Sequence, residues 1–244
     1  MRKALIGLLA VVSALFVLPA AAGATGNGGG SKGAQVYVTH GLPLPDSVTG
    51  PGTPVDVYVN GGLAIDDFKF GNTVGPLSLP AATYDIQVRT PDGVTTLIQK
   101  DVAVPATGNF SLVASFIDAA GTPGINVFAN DTRKPWKGNG AIALHHAAAA
   151  PAVDVLGGIY PFSRIFPKLK LQLVSGAENG AQARFVLPTH LKYTFDVQVS
   201  GTKTIVLGLD KVRVNRGELK NVYVVGSAAG GTLQALVTTI PTTR

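Results

Sequence analysis

Cysteine is absent from the 244-residue sequence, which excludes disulfide bonds, thiolate metal sites and a lipid-modified N-terminal cysteine. Charged residues make up only 14% of the chain and aromatic residues 7%, with a single tryptophan. The hydrophobic fraction is nevertheless 46%. We expect a chain of this length and composition to fold, and it can bury one or two hydrophobic cores without covalent cross-links.

Only one long apolar run is present, and it lies at the N-terminus. Arg2 and Lys3 precede the fifteen uncharged residues of Ala4–Leu18, and small residues follow. This order predicts a secretory signal peptide over residues 1–24, with cleavage after Ala24 or Ala22. The run is shorter than the roughly 20 residues that span a bilayer, so an uncleaved anchor is the weaker alternative. We expect a secreted or extracytoplasmic protein of the cell envelope, without a transmembrane segment after cleavage.

The remaining sequence is typical of short strands. Residues 25–33 are rich in glycine and predict a flexible leader. Apolar and polar residues alternate through Thr83–Arg89, and this period of two predicts a half-buried strand. Asn60-Gly61 predicts a tight hairpin. Ala147–Ala150 is the nearest candidate for a helix, but Pro151 interrupts it.

Blocks of sequence occur twice, in the same order. LPAATYDIQV at 79–88 is matched by LPTHLKYTFDVQV at 187–199, and PVDVYVNGG at 54–62 by PAVDVLGG at 151–158. Asp56 and Asp154 are 98 positions apart but Asp85 and Asp196 are 111 apart, which places a net insertion of thirteen residues within Ile159–Ala183. We therefore expect an all-β fold with two tandem Ig-like or transthyretin-like β-sandwich domains, over residues 34–130 and 139–241, joined by a linker over residues 131–138.

These blocks resemble a family of bacterial secreted repeats, the domain of unknown function 4397. The family pattern is a strand that ends in histidine, a VDVYVDG strand, an FG turn and a PAGTYxVxV strand. In the first copy the matching residues are His40, Val55–Asn60, Phe70-Gly71 and Pro80–Val88, and in the second they are His145, Pro151–Val155 and Leu187–Val199. The second copy lacks the FG turn. The resemblance implies extracytoplasmic β-sandwich repeats on bacterial envelopes, and it implies no catalytic residues.

Alignment of the two copies predicts matching places for four polar side chains: His40, His145, Asp56 and Asp154. We expect each histidine to end a first strand and to bond to the following loop and fix its shape, with a metal site as the alternative. Since neighbouring strand residues point to opposite faces, His145 and His146 are not expected to share an ion. For the aspartates we expect a structural bond to the same loop rather than paired acid catalysis. No catalytic residue, metal ligand or cofactor is predicted.

Charge is divided unequally between the halves of the chain. Residues 25–130 carry four basic and eight acidic groups, whereas residues 131–244 carry fourteen and six. The insertion adds Arg164, Lys168 and Lys170 among aromatic residues, which makes these cations candidates for contact with an anionic polymer. A solvated face is the plainer alternative, and self-association of opposite halves is another. Trp136 in the linker is a candidate either to stack on a sugar or to pack against one domain.

Together these features predict a non-enzymatic protein that binds, displays or has a structural role at the bacterial surface. The expected partner of the basic second repeat is an anionic cell-wall polymer or another surface protein, and no nucleic acid is expected outside the cell. A carbohydrate-binding module is the alternative, and it requires an exposed row of aromatic residues on one sheet face. An enzyme of unknown type is a third interpretation, which requires a pocket with converging polar groups.

Overall fold

The structure is a computed structural model that describes residues 33–43 and 54–243. The predicted signal peptide, its cleavage sites and all but the last residue of the leader lie outside the described residues. Within the described part of the chain, no helix has the length and hydrophobicity needed to cross a membrane.

The first eight strands form one sandwich of two sheets. One sheet has the order β4-β1-β7-β8 and the other the order β3-β2-β5-β6. Strands β1 and β7 run parallel to each other, and every other pair of neighbouring strands in these two sheets is antiparallel. The bounds are β1 (Ala34–His40), β2 (Val55–Val59), β3 (Gly62–Phe68), β4 (Thr73–Leu79), β5 (Ala82–Arg89), β6 (Thr96–Val104), β7 (Asn109–Phe116) and β8 (Pro123–Ala129).

The next eight strands repeat this arrangement. Their sheets have the orders β12-β9-β15-β16 and β11-β10-β13-β14, which are the first two orders shifted by eight strands. The bounds are β9 (Asn139–Ala149), β10 (Val153–Ile159), β11 (Leu171–Ala177), β12 (Gln182–Pro188), β13 (Tyr193–Val199), β14 (Ile205–Val212), β15 (Glu218–Ser227) and β16 (Gln234–Pro241). The all-β fold with two sandwiches is confirmed. The first strand of each sandwich pairs with its fourth and seventh strands, unlike the strand order of an immunoglobulin domain.

The repeated sequence phrase is a turn followed by a central strand. The Tyr84 hydroxyl donates to the carbonyl of Pro80 at 3.1 Å, and the Tyr193 hydroxyl donates to the carbonyl of Pro188 at 2.8 Å. Each tyrosine starts a buried face of alternate residues that fills its own core, completed by Ile86 and Val88 in β5 and by Phe195 and Val197 in β13. Burial of such a side chain contributes about 1.5–3 kcal/mol. The phrase fills the core of each sandwich in the same way, which accounts for its occurring twice.

The two sandwiches pack against each other through the sheets that contain β1 and β9, so that four sheets lie in layers. Strand β9 is buried along its whole length, because one of its faces fills its own core and the other faces the first sandwich. Ala141 and Ala143 pack on Tyr37, and Ala147 packs beside Val113. The alanines 147–149 therefore belong to a strand rather than to a helix. A strand that is covered on both faces does not alternate between apolar and polar residues.

Candidate functional site

A buried polar cluster lies between the two inner sheets. The Tyr223 hydroxyl donates to Ser111 Oγ at 2.7 Å, and Asn130 Nδ2 donates to the same oxygen at 2.9 Å. Asn221 Nδ2 donates to Asn130 Oδ1 at 3.0 Å, and His145 Nε2 lies 3.2 Å from Asn221 Oδ1. Since an amide oxygen only accepts hydrogen bonds, His145 Nε2 carries the ring proton. The cluster thus connects β7, β9 and β15 across the interface.

This cluster is buried, and its most exposed member, Asn130, is 8% exposed. Ser111, Asn221 and Tyr223 have no exposed surface, and His145 is 2% exposed. Burial lowers the pKa of His145 to about 4, against the opposing effect of its bond to Asn221. Burial likewise raises the pKa of Tyr223 to about 12. Although a serine, a histidine and an asparagine meet here, the serine is bonded to the tyrosine and not to the histidine. The cluster holds the two sandwiches together and offers a substrate no surface.

Strand register shows that His146, and not His145, is the counterpart of His40. His40 lies opposite Ala114 in β7, and His146 lies opposite Val224 in the equivalent strand β15. The two adjacent histidines point to opposite faces, and the His145 ring faces the interface. There its centroid is 4.7 Å from that of Tyr223 and 4.6 Å from that of Phe128.

The histidines that do correspond make the same contact. Leu42 N donates to His40 Nδ1 at 3.4 Å, and Ala148 N donates to His146 Nδ1 at 3.3 Å. His146 Nε2 also donates to the carbonyl of Pro151 at 3.3 Å. Both rings are therefore used to hold the backbone that follows them. The loop-fixing role expected of His145 belongs to its neighbour.

The two repeated aspartates bind bulges in the adjacent edge strands. Asp67 N donates to Asp56 Oδ1 at 3.0 Å, and Gly176 N donates to Asp154 Oδ1 at 2.8 Å. Both donors have left-handed backbone, with φ of 48° and 62°. Asp154 also accepts two hydrogen bonds from the β13–β14 turn, and these bonds, led by that of Gly176, hold its pKa below the usual value. The bonds expected to go to the loops after the histidines go to these bulges instead.

Three carboxylates meet at the first bulge. The ligand atoms of Asp56, Asp66 and Asp67 lie within 4.8 Å of one another. Burial raises the pKa of Asp56, and its acidic neighbours add to this effect. The second copy has Ser175 and Gly176 at the corresponding places of β11, so the acidic cluster is not a repeated feature.

The insertion in the second copy connects β10 to β11 and lies against the outer face of their sheet. It contains helix α1 (Phe162–Ile165) and a 3-10 helix (Pro167–Leu169), where the first copy has only a tight turn. Ser163 is 1% exposed and packs on Gly158, where an added Cβ would lie 2.5 Å from Ser163 Cβ. A glycine in this strand is therefore required for the close approach of the insertion.

Two of the three cations predicted to contact a polymer are bonded within the fold. Arg164 Nη1 lies 3.0 Å from Asp196 Oδ1, and Arg164 Nε lies 2.6 Å from Asp210 Oδ1. Lys170 Nζ is bonded to Asp196 Oδ2, and its side chain is only 6% exposed. Because the Asp196 side chain is 1% exposed, its charge requires paired cations. Among the three cations, Lys168 alone is exposed.

The exposed side of the insertion is apolar. We call the set of large apolar side chains that it presents to solvent the apolar ridge. Their exposed fractions run from 44% to 70%. Sequence reasoning singled out this stretch for its cations among aromatic residues and did not predict an exposed apolar surface. A run of large apolar residues without strand alternation was the available signal. The members of the ridge are Phe162, Ile165, Phe166 and Leu169 in the insertion, with Ile159 and Leu171 at the ends of the two strands that flank it.

Exposed aromatic rings do not form a row on a sheet. Among residues 33–43 and 54–243 the exposed ones are Trp136, Phe162 and Phe166, and none of them lies in a strand. Trp136 is 70% exposed, so it does not pack against either sandwich. On the outer face of the first sandwich, Tyr58 is half-buried beneath Arg89, whose guanidinium carbon is 4.3 Å from the ring centroid.

The cavity inside the first sandwich has a purely apolar lining. Val57, Phe68, Ile86 and Leu112 are among the side chains that form it, and no polar surface contributes. Converging polar groups of the kind that a catalytic pocket requires are not found there.

Sequence comparison identifies one family. The model of the family described as Domain of unknown function (DUF4397) matches residues 34–156, which is half of the chain. The match runs through the first sandwich, the connection and β9, and it ends within β10 before the insertion. No curated protein matches the sequence.

Solved structures give weak similarities. A family CBM26 carbohydrate-binding module from Eubacterium rectale, in complex with maltoheptaose, is 10% identical with a TM-score of 0.25 over 86% of this chain and 98% of the module. The Bacillus anthracis TIE protein is 11% identical with a TM-score of 0.24 over 80% of this chain and 34% of that protein. A putative cell adhesion protein from Bacteroides fragilis is 9% identical with a TM-score of 0.18, over 86% of this chain and 98% of that protein. At these scores the similarities carry no argument about function.

Proposed function

The chain belongs to the DUF4397 family, and we propose that it is a non-catalytic, extracytoplasmic protein of the bacterial surface that binds an anionic wall polymer through its second repeat. The observation that carries this proposal is the division of charge. Residues 25–130 have four basic and eight acidic groups, and residues 131–244 have fourteen and six. A surface with an excess of one sign attracts polymers of the opposite sign.

Three of the five exposed cations of the second repeat lie along one sheet edge. Lys203, Lys211 and Arg213 are exposed and lie in or beside the edge strand β14. We call these three residues the basic edge. At about 3.3 Å per residue of strand the basic edge is roughly 30 Å long, a length that suits a repeating anionic chain. It replaces Arg164 and Lys170 as the expected contact, because those two cations are neutralised by aspartates.

The repeated polar side chains have structural roles, and this supports the non-catalytic part of the proposal. His40, His146, Asp56 and Asp154 each bond backbone groups of the scaffold. His145 belongs to a cluster that is closed to solvent. A carbohydrate-binding module is the less favoured function, since the exposed rings of the described residues lie outside the sheet faces.

The test uses lipid-extracted wall fragments from the host and the full mature chain, because the shared interface gives no reason to expect that one repeat folds alone. We expect the protein to sediment with the fragments at low salt and to be released at high salt. The variant Lys203→Glu/Lys211→Glu/Arg213→Glu should stay in solution. A matched control with the same change of charge is Lys69→Glu/Lys134→Glu/Lys137→Glu, which alters exposed residues elsewhere and should still sediment. Equal sedimentation of the two variants, or binding that salt does not weaken, would refute the proposal.

A further inference from the structure

We propose that the apolar ridge inserts into the interfacial layer of an anionic lipid membrane. The ridge brings six large apolar side chains, each at least 44% exposed, into the thirteen residues from Ile159 to Leu171. Exposed apolar residues scattered singly over a surface need no explanation, but six of them within one connection and the strand ends beside it indicate a surface that is covered in use. This inference does not depend on the polymer contact proposed above.

Contacts between the insertion and the sheet beneath it direct the ridge toward solvent. Ser163 packs on Gly158, and Arg164 and Lys170 reach the buried carboxylate of Asp196. These three anchors lie between the apolar residues of the insertion, so anchoring them directs the apolar side chains to solvent. A ridge whose conformation is already fixed loses little further conformational entropy when it binds.

The charge around the ridge fits a negatively charged partner. No acidic residue occurs between Asp154 and Glu178, and Lys168 is exposed in the middle of the ridge. Lys211, a member of the basic edge, has its Nζ 5.7 Å from the ring centroid of Tyr160 at the start of the insertion. The aspartates nearest the insertion, Asp196 and Asp210, are already paired with its cations.

The chemistry of the ridge favours a lipid surface over a protein groove. Phenylalanine, isoleucine and leucine side chains stand beside a lysine on two short helical turns, which is the combination by which interfacial segments bind anionic lipids. The apolar side chains enter the boundary between headgroups and acyl chains, while the lysine stays with the phosphates. Four of the six ridge residues lie in the connection between β10 and β11, whose two short helices offer a partner chain no strand to pair with.

The test measures sedimentation of the full mature chain with phosphatidylglycerol vesicles and with phosphatidylcholine vesicles. We expect binding to the anionic vesicles and much weaker binding to the zwitterionic ones. Phe162→Ser/Phe166→Ser should weaken binding to the anionic vesicles by roughly tenfold or more, because each substitution removes a ring whose burial in the bilayer favours binding. Leu63→Ser/Val94→Ser removes two exposed apolar side chains from the first repeat and should leave binding unchanged.

A fluorescence measurement reports insertion directly, because Trp136 is the only tryptophan. In a Trp136→Phe background, Phe162→Trp should show a blue-shifted emission when phosphatidylglycerol vesicles are added. An unshifted emission, absence of sedimentation with the vesicles, or equal binding by the ridge variant and its control would overturn the inference. Loss of wall-fragment binding in the ridge variant, with no vesicle binding by the natural chain, would assign the ridge to a wall component instead. The wall fragments contain no lipid and the vesicles contain no wall, so failure of one proposal leaves the other standing.

Discussion

Tyr223 donates its hydroxyl proton to Ser111 at 2.7 Å, and this bond joins residues 112 positions apart across the interface of the two sandwiches. Both groups are fully buried. Buried polar groups cost free energy unless they are bonded, so this pair favours only one way of packing the inner sheets. The two repeats therefore form a single block, and not two beads on a linker.

The first prediction concerns this bond. Tyr223→Phe should lower the free energy of unfolding by about 1–2 kcal/mol, because one buried bond is lost and Ser111 keeps its bonds to Asn130. Urea unfolding measures the change. Tyr58→Phe on the outer sheet should change the free energy of unfolding by less than about 0.5 kcal/mol. Equal effects of the two substitutions would show that the interface bond contributes nothing.

The second prediction is a dependence of stability on pH. Burial lowers the pKa of His145 from 6.5 to about 4 in the folded protein. Between these values the unfolded chain binds a proton that the folded chain does not, so stability is complete above pH 6.5 and falls as the pH is lowered toward 4. At about 1.4 kcal/mol per pKa unit the loss is on the order of 3 kcal/mol.

Thermal unfolding over this pH range tests the effect with His145→Gln. The variant should lose much of the slope, and a smaller slope should remain because burial also lowers the pKa of His146. The exposed His190 provides the control, and His190→Gln should keep the slope of the natural chain. If His145→Gln also keeps that slope, the histidine does not carry the pH dependence.

The third prediction concerns the anchor of the insertion. Asp196→Asn leaves Lys170, whose side chain is 6% exposed, without its counter-charge, and should cost about 3–5 kcal/mol of stability. Hydrogen exchange should also become faster in residues 162–170. Asp101→Asn, at an exposed position in β6, should change stability by less than about 0.5 kcal/mol. Unchanged exchange in Asp196→Asn would mean that the ion pairs do not hold the insertion.

The sandwiches were predictable because local signals specify them. Strand alternation, the Asn60-Gly61 turn and the repeated Tyr84 and Tyr193 phrases all depend on neighbouring residues in the sequence. The interface was not predictable, because Ser111 and Asn221 occupy positions at which a strand with one solvated face also has polar residues. Each of them bonds one partner in the other repeat, and no local pattern reveals that partner.

The errors at the candidate site have the same origin. Two adjacent histidines in the second copy leave the alignment to His40 ambiguous by one residue, and only pairing with β15 resolves it. The cations Arg164 and Lys170 look free in the sequence, since Asp196 and Asp210 follow 26 to 46 positions later. Tertiary contacts decide which charges are neutralised. Because the paired cations point toward the sheet, the apolar side chains of the insertion are left exposed.

The most direct test of the central claim, that the two inner sheets pack face to face, is a cross-link between them. Thr73 Oγ1 in β4 lies 3.0 Å from Thr238 Oγ1 in β16, and the chain has no cysteine of its own. In Thr73→Cys/Thr238→Cys, mild oxidation should form an intramolecular disulfide in nearly every molecule, detected by mass and by gel mobility. The pair Thr73→Cys/Thr204→Cys, which links the inner sheet to an exposed turn, should stay reduced. A Thr73/Thr238 pair that oxidises no faster than this control would contradict the packing of the two repeats into one block.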